Sequence, residues 1–403
     1  MLGWAQNPSF AFDMKGDIRT SFFNEKILIG LGRQDRELAA MDNGSSLVLN
    51  RSALPFLAMD MAFRPVSWLQ FTTITGILEF PNKAYLYEYD EENEPSKLRN
   101  YNREDSYMFQ NAYSVEMIDL DFKFFHFDVG SACVWPKRFE LGYFFPFITN
   151  VVYQNYIGDY DNLCLFGDCS LRKSVLGKIW ISGYLDEMPT VNPKYLFKKT
   201  RYMFSMQGGA KWEIPFLPFA NLSLRYTRVE PYCYTHDSIK NTPWYNDYIS
   251  ESYTNGGESL GYYLAPNSDE ILVRFEMKPL SNLETALQYQ LIRHGADFGS
   301  QQVQGSSLYS ELVYMYGRGD KYKYFLKDGA YEWSNIITLS GSCNLNSYGI
   351  PASLNLCAGY VYDYFTDNEG DVGECSQYHK IETKEYNTTN GFVFSIGFKA
   401  FCK

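Results

Sequence analysis

Few side chains in this sequence have the types and spacing for chemistry. Its four histidines are His126, His236, His294 and His379. His236 and His294 each end an alternating stretch that runs into a long polar segment, so both are expected near one rim. Beside Asp269 or Glu270 they have the donor types of a metal or acid–base site. Nothing at metal-ligand spacing joins them. No Gly-Xaa-Ser-Xaa-Gly elbow, P-loop or dinucleotide fingerprint occurs. The sequence thus gives no positive case for catalysis, a metal or a cofactor, and a non-enzymatic protein is expected. A different chemistry is better represented. Pro231-Tyr232-Cys233-Tyr234-Thr235-His236 offers two rings, Tyr232 and Tyr234. Tyr262, Asn267 and Asp269 follow, then Arg293 and His294. Aromatic faces stack on sugar rings, and Asn, Asp, Arg and His hydrogen-bond hydroxyls. If the intervening strands pair antiparallel, these eight residues are expected in one patch that contacts a glycan.

The elements that must position them show best between Asp269 and His294. Ile271, Val273, Phe275 and Met277 point one way, and Leu272, Arg274, Glu276 and Lys278 the other. After a break at Lys278-Pro279-Leu280-Ser281-Asn282, alternation resumes with Leu283, Thr285, Leu287, Tyr289 and Leu291. Period 2 on both sides of a short break is a β-hairpin. Each arm has about ten residues, the length of a tilted strand that crosses a bilayer. Phe275, Met277, Leu287 and Tyr289 are expected to face lipid, and Arg274, Glu276, Gln288 and Gln290 the lumen.

The pattern recurs along the 403 residues. Residues 9–33 read as two strands about Gly16. Leu57–Arg64 and Trp68–Glu79 flank a turn at Pro65-Val66-Ser67. Asp121–Trp135 alternates well, with His126 as a lumen-facing or girdle residue and Phe139–Thr149 as a possible partner strand. Ser170–Lys199 reads equally as loop, short helices or one strand. Arg201–Ile214 and Asn221–His236 flank Pro215-Phe216-Leu217-Pro218. Gly208-Gly209, within the first of these, suggests a bend or close packing. Further strands are Leu308–Tyr316, Tyr331–Leu345, Ala352–Tyr364 and the terminal Gly391–Phe401. Between them short turns alternate with long polar segments, such as the one tipped by Asp90-Glu91-Glu92-Asn93-Glu94 and the one from Asp237 to Ser268.

Composition narrows the class. Mean hydropathy is −0.31, and no apolar run reaches helical membrane-spanning length. Aromatic content is 18%, with 34 Tyr, 30 Phe and 7 Trp, which suits the girdles of an outer-membrane barrel. A net charge of −11 without a basic cluster argues against nucleic-acid binding. The eight cysteines lack metal-knuckle spacing, although Cys164 and Cys169 bracket a short segment that a local disulfide can close. The start of the chain lacks a charged, apolar leader. The expectation is an all-β fold: one transmembrane antiparallel β-barrel over residues 1–403, its leader and some upstream sequence lying outside this chain. It would have roughly 14–18 strands, short periplasmic turns and long outer loops.

Three segments look specified beyond barrel-building: Gly32-Arg33-Gln34 through Phe56, Tyr226 through His236, and Tyr253 through Asp269. They resemble the capsule-assembly outer-membrane family of the Wzi type. The family's Gly-Arg-Gln, Gly-Ser-Leu and Asn-Xaa-Ala-Xaa-Pro-like elements have counterparts here in Gly32-Arg33-Gln34, Gly44-Ser45-Ser46-Leu47 and Arg51-Ser52-Ala53-Leu54-Pro55. Its Pro-Tyr-Xaa-Tyr-Xaa-His and Leu-Gly-Xaa-Xaa-Leu-Gly-Pro-Asn-like elements have theirs in Pro231-Tyr232-Cys233-Tyr234-Thr235-His236 and Leu260-Gly261-Tyr262-Tyr263-Leu264-Ala265-Pro266-Asn267. Arg51-Ser52 replaces the usual Asn pair before Ala53, and Ala265 stands where the family often has Gly. The resemblance implies a non-enzymatic, lectin-like barrel of the bacterial outer membrane that holds capsular polysaccharide at the cell surface. Its partners would be that polysaccharide, outer-membrane lipid and the barrel-assembly machinery. A porin or transporter for small solutes is the alternative, and an open or filled lumen separates the two.

Overall fold

Alternation of apolar and polar residues resolves into strands whose two faces meet two environments. The computed structural model describes residues 14–39, 44–78, 111–136, 140–144, 150–158, 161–173, 177–217, 219–236, 251–296, 305, 306, 308, 322–326, 330–368, 378–383 and 386–400. The first strands are β1 (Gly16–Phe22), β2 (Ile27–Gln34), β3 (Phe56–Val66), β4 (Leu69–Ile77), β5 (Asn111–Asp121) and β6 (Phe125–Pro136). A short helix, α1 (Asn150–Ile157), precedes β7 (Asn162–Lys173), β8 (Gly177–Glu187), β9 (Met203–Ile214) and β10 (Ala220–Val229). The two-residue ladder of β11 (Thr254–Asn255) and β12 (Glu258–Ser259) lies apart. The sheet continues with β13 (Ser268–Leu280), β14 (Leu283–Ala296), β15 (Ala330–Asn344), β16 (Ala352–Asn368), β17 (Tyr378–Ile381) and β18 (Thr389–Ala400).

Sixteen strands form one antiparallel sheet in chain order, with β17 and β18 sharing the far edge of β16. This meander is a transmembrane β-barrel, in which neighbouring strands pair one another's backbone groups across the lipid. Among the described residues no ladder joins β1 to β18, and these two strands, the most exposed of the sheet, flank the seam. Connections sort by end. At one end few residues separate Phe22 from Ile27, Val66 from Leu69, Asp121 from Phe125, Lys173 from Gly177, Ile214 from Ala220, Leu280 from Leu283 and Asn344 from Ala352. At the other end longer stretches of sequence separate Gln34 from Phe56, Ile77 from Asn111, Pro136 from Asn162, Glu187 from Met203, Val229 from Ser268, Ala296 from Ala330 and Asn368 from Tyr378.

The faces follow the alternation. Opposite pairs Phe275↔Leu287, Val273↔Tyr289 and Leu287↔Leu339 lie on the outer face. Inward, Arg274 donates to Glu276 at 2.7 Å and to Gln288 at 3.0 Å, and Lys211 donates to Glu276 at 3.0 Å. Gly209 leaves room for an inward ring, because a Cβ there would lie 2.2 Å from the Trp180 indole. That is the close packing the glycine doublet suggested.

Several sequence expectations are corrected. The first hairpin turns at residues 23–26, where Phe23, Asn24 and Glu25 all have positive φ, and Gly16 opens β1. Cys164 and Cys169 both lie in β7, five positions apart and so on opposite faces, and both are free thiols. The partner of β6 is β7; within 139–149, residues 141–144 form a 3-10 turn. Ser170–Lys199 contains the end of β7 and all of β8. The sheet releases the chain at Val229, so Pro231–His236 is no strand. The acidic tip at 90–94, nearly all of the strand expected at 308–316, and residues 401–403 lie outside the described residues.

Leu339 and Ser340 are adjacent on β15, yet Leu339 is 58% exposed on the outer face and Ser340 lines an internal cavity. Leu339→Arg should cost about 2–4 kcal/mol near the bilayer midplane and lower the folded fraction, whereas Ser340→Arg should not. Heat-modifiable electrophoretic mobility reads both. Equal losses would contradict the assignment of faces.

Candidate functional site

Two of the long connections fold back into the lumen. In the first, residues 35–55, Arg36 is the anchor. Its guanidinium donates to Asp60 Oδ1 at 2.8 Å, Phe56 O at 2.6 Å and Gly32 O at 2.9 Å. A fork of five donors suits such a ring of acceptors, and it fixes where the chain leaves β2. Leu38 N donates to Leu49 O at 3.0 Å, and Asn50 Nδ2 to Ser46 O at 2.9 Å, closing the loop on itself. Leu47, Val48 and Leu49 are thereby placed in the core.

The second insertion begins where β10 ends. Tyr232 and Tyr234 have φ of 73° and 69°, left-handed values that cost non-glycine residues about 1–3 kcal/mol each. The bends turn the chain inward and separate the two rings: Tyr232 packs with Met203, and Tyr234 enters the main core. The Tyr234 hydroxyl donates to Leu47 O at 2.8 Å, which leaves Ser205 Oγ, 2.9 Å away, as donor to it. Tyr262 N donates to the same oxygen at 3.2 Å. The Tyr253 hydroxyl donates to Val48 O at 2.9 Å, so Tyr113, 2.8 Å away, is the donor in that pair. Rings of Tyr184, Tyr234 and Tyr253 lie 4.7–5.9 Å apart. Burial pushes the phenols of Tyr234, Tyr253 and Tyr262 well above their ordinary pKa, so they remain neutral donors. Gly261 admits this packing, since a Cβ there would lie 2.3 Å from the Tyr234 ring.

A polar node joins the insertion to the wall. Glu270, fully buried on β13, accepts from the Tyr262 hydroxyl, from Tyr263 Oη at 2.8 Å and from Gln290 Nε2 at 2.6 Å, with Arg225 at 3.4 Å. Tyr263 remains 37% exposed, the open side of the node.

The eight residues singled out by sequence fall into five places. Tyr234 and Tyr262 touch inside the core and are fully buried. Tyr232, also buried, donates its amide to Gly305 O at 2.9 Å. Asn267 Nδ2 donates to Ser306 Oγ at 3.0 Å, and His294 Nε2 lies 2.9 Å from Ser306 O, so one segment gathers both. Asp269 and Arg293 form an ion pair on the outer face, where the guanidinium also lies 5.2 Å from the Trp333 ring. His236 sits partly exposed, its Nδ1 3.7 Å from Glu251. Neither His236 nor His294 joins a three-residue set of metal-capable side chains among the described residues. Arg225, Tyr263 and Gln290 are part of the site that sequence reasoning missed. The clue was that Arg225, Glu270 and Gln290 occupy inward positions of adjoining strands.

Together these features define an outer-membrane β-barrel whose lumen is filled by its own chain at the end with long connections. The chain is similar in fold to Wzi of Escherichia coli, an outer-membrane protein involved in group 1 capsule assembly and described as a carbohydrate-binding β-barrel. The TM-score is 0.53 at 9% identity, over 96% of this chain and 70% of that one. It also aligns with OccK10 (OpdN) of Pseudomonas aeruginosa at a TM-score of 0.42 and 10% identity, over 96% of this chain and 83% of that one. OmpT of Vibrio cholerae aligns at 0.33 and 11% identity, over 96% and 97% of the two chains. No protein-family profile and no curated protein matches the sequence.

Tyr234→Phe keeps the ring but leaves Leu47 O without its donor, at a cost of about 1–3 kcal/mol. Hydrogen exchange should quicken in residues 44–53 and 251–264 while the amides of β13 and β14 stay protected. Unchanged exchange in the inserted segments would show that this hydroxyl does not hold them.

Proposed function

We propose that this protein is a lectin-like barrel of the bacterial outer membrane, of the capsule-assembly (Wzi) type, that holds a surface polysaccharide at its outer mouth. The observation that carries the reading is the packed insertion. A lumen filled with interlocked tyrosines is shaped to hold a chain at its rim, and a diffusion pore needs that space empty. The three segments whose sequence resembles the capsule-assembly family all contribute to the insertion or its anchors. The similarity of fold to a carbohydrate-binding barrel supports the same reading.

Within it, the eight residues divide in role. His236, Arg293 and His294, all partly exposed, contact the glycan, with Tyr263 as a stacking face. The buried Tyr232, Tyr234, Tyr262, Asn267 and Asp269 hold the rim in shape. Outer-membrane lipid surrounds the apolar outer face, and the barrel-assembly machinery inserts the chain.

Two measurements test this. In planar bilayers the purified barrel should show no large, steady conductance; such a conductance would favour the porin reading. In cells, His236→Ala, Tyr263→Ala and Arg293→Gln should each lower surface-polysaccharide retention several-fold at normal barrel abundance. Full retention in all three would remove this rim from the binding site.

A further inference from the structure

At the opposite end, the lumen wall carries a row of carboxylates. On the inward face of β5, β6 and β7, Asp119, Asp128 and Asp168 lie side by side in register, and Asp121 stands opposite His126 one step nearer the short turn. Their neighbours Ile118 and Val129 point outward and are exposed. His126 Nε2 lies 3.2 Å from Asp128 Oδ2, and Nδ1 lies 3.7 Å from both Asp119 Oδ1 and Asp121 Oδ1. One ligand atom from each of Asp119, His126 and Asp128 falls within 4.8 Å of the others. Ligands about 2.0–2.2 Å from one ion lie at most about 4.4 Å apart, so small side-chain rotations close this set on an ion.

A second observation points to a ligand. Asp128 and Asp168 are only 1% and 3% exposed; they bond to each other, and Asp168 to Ser182, yet Oδ1 of each has no hydrogen-bond partner. Two buried carboxylates pressed together are costly unless a positive charge or a shared proton joins them. Arg172 is engaged by Asp121 and Arg64 by Gln70 at 3.1 Å, while Lys178 attracts Asp168 from β8. Asp119 and His126 remain 22% and 18% exposed at the side chain, so the cluster opens to the lumen.

We infer that Asp119, His126 and Asp128, backed by Asp168, bind one divalent cation of the manganese–zinc class and so clasp β5, β6 and β7 at the inner mouth. Carboxylate oxygens with one imidazole nitrogen suit these ions. The ion supplies the charge that the orphaned oxygens lack.

The test uses the full-length barrel, purified in detergent and stripped with chelator, then dialysed against Mn²⁺ or Zn²⁺ alone. One ion per chain should bind, and Mn²⁺ should give an immobilised paramagnetic spectrum that EDTA abolishes. His126→Gln and Asp128→Asn should lose the ion while keeping heat-modifiable mobility, and His379→Gln should retain it. Should Asp128→Asn fail to fold, the more exposed Asp119→Asn serves, with affinity lowered at least tenfold. Absence of stoichiometric uptake by the wild type, or full uptake by every folded variant, would overturn the site.

Discussion

In hydrocarbon, every backbone amide and carbonyl needs a partner from the protein itself, because no water is there to supply one. The sixteen-stranded meander is the consequence for this chain. Each central strand must be straddled by two neighbours in strict register, so successive side chains divide between lipid and lumen. That division explains how Phe275 and Glu276, adjacent in sequence, meet opposite environments. It also forces polar residues into the lumen, where they must find one another. The Lys211–Glu276–Arg274–Gln288 chain shows how the wall satisfies itself where nothing is inserted.

Where segments are inserted, the same accounting extends to them. A buried loop carries unpaired backbone groups unless side chains reach them. Here the tyrosines do so: Tyr234 and Tyr253 reach the carbonyls of Leu47 and Val48. Gln207 of the wall reaches Ser45 O at 2.9 Å. Tyrosine suits the task because its ring fills space and its hydroxyl ends in a donor. The left-handed backbone at Tyr232 and Tyr234 is tolerable for the same reason, since the contacts it permits outweigh about 1–3 kcal/mol of strain per residue. The high aromatic content is therefore divided between two uses, an outer girdle and an internal filling.

Local pattern made much of this legible, and non-local packing accounts for the rest. The β13–β14 hairpin was readable because alternation and a Pro-Leu-Ser-Asn break are both local. Gly16 was misleading: the turn beyond it is built from Phe23, Asn24 and Glu25, whose left-handed backbone no glycine announces. Gly167-Asp168 looked like a loop, although it lies mid-strand in β7 with Asp168 on the lumen wall. The stretch after Val229 keeps the alternation of a strand in Tyr232 and Tyr234 but has left the sheet. Its true partners, Leu47 and Tyr262, are 187 and 28 residues away from Tyr234. The family resemblance singled out three segments without revealing that they pack on one another.

The lumen is consequently unequal along its length. Towards the long connections it is a packed core, and Tyr234, Tyr253 and Tyr262 are too buried for a ligand to reach. Towards the short turns, a cavity of about 660 Å³ remains, lined by Arg274, Glu276, Ser340, Asn355 and Ser395 among others. A solute entering from the short-turn end would meet the insertion before it met the outer rim. Passage through the barrel would require Tyr234, Tyr253 and Tyr262 to give up hydrogen bonds to backbone and wall together, because each holds a partner the others depend on. Cooperative contacts of this kind open as a unit or stay closed. The geometry therefore suits a protein whose two mouths are chemically separate.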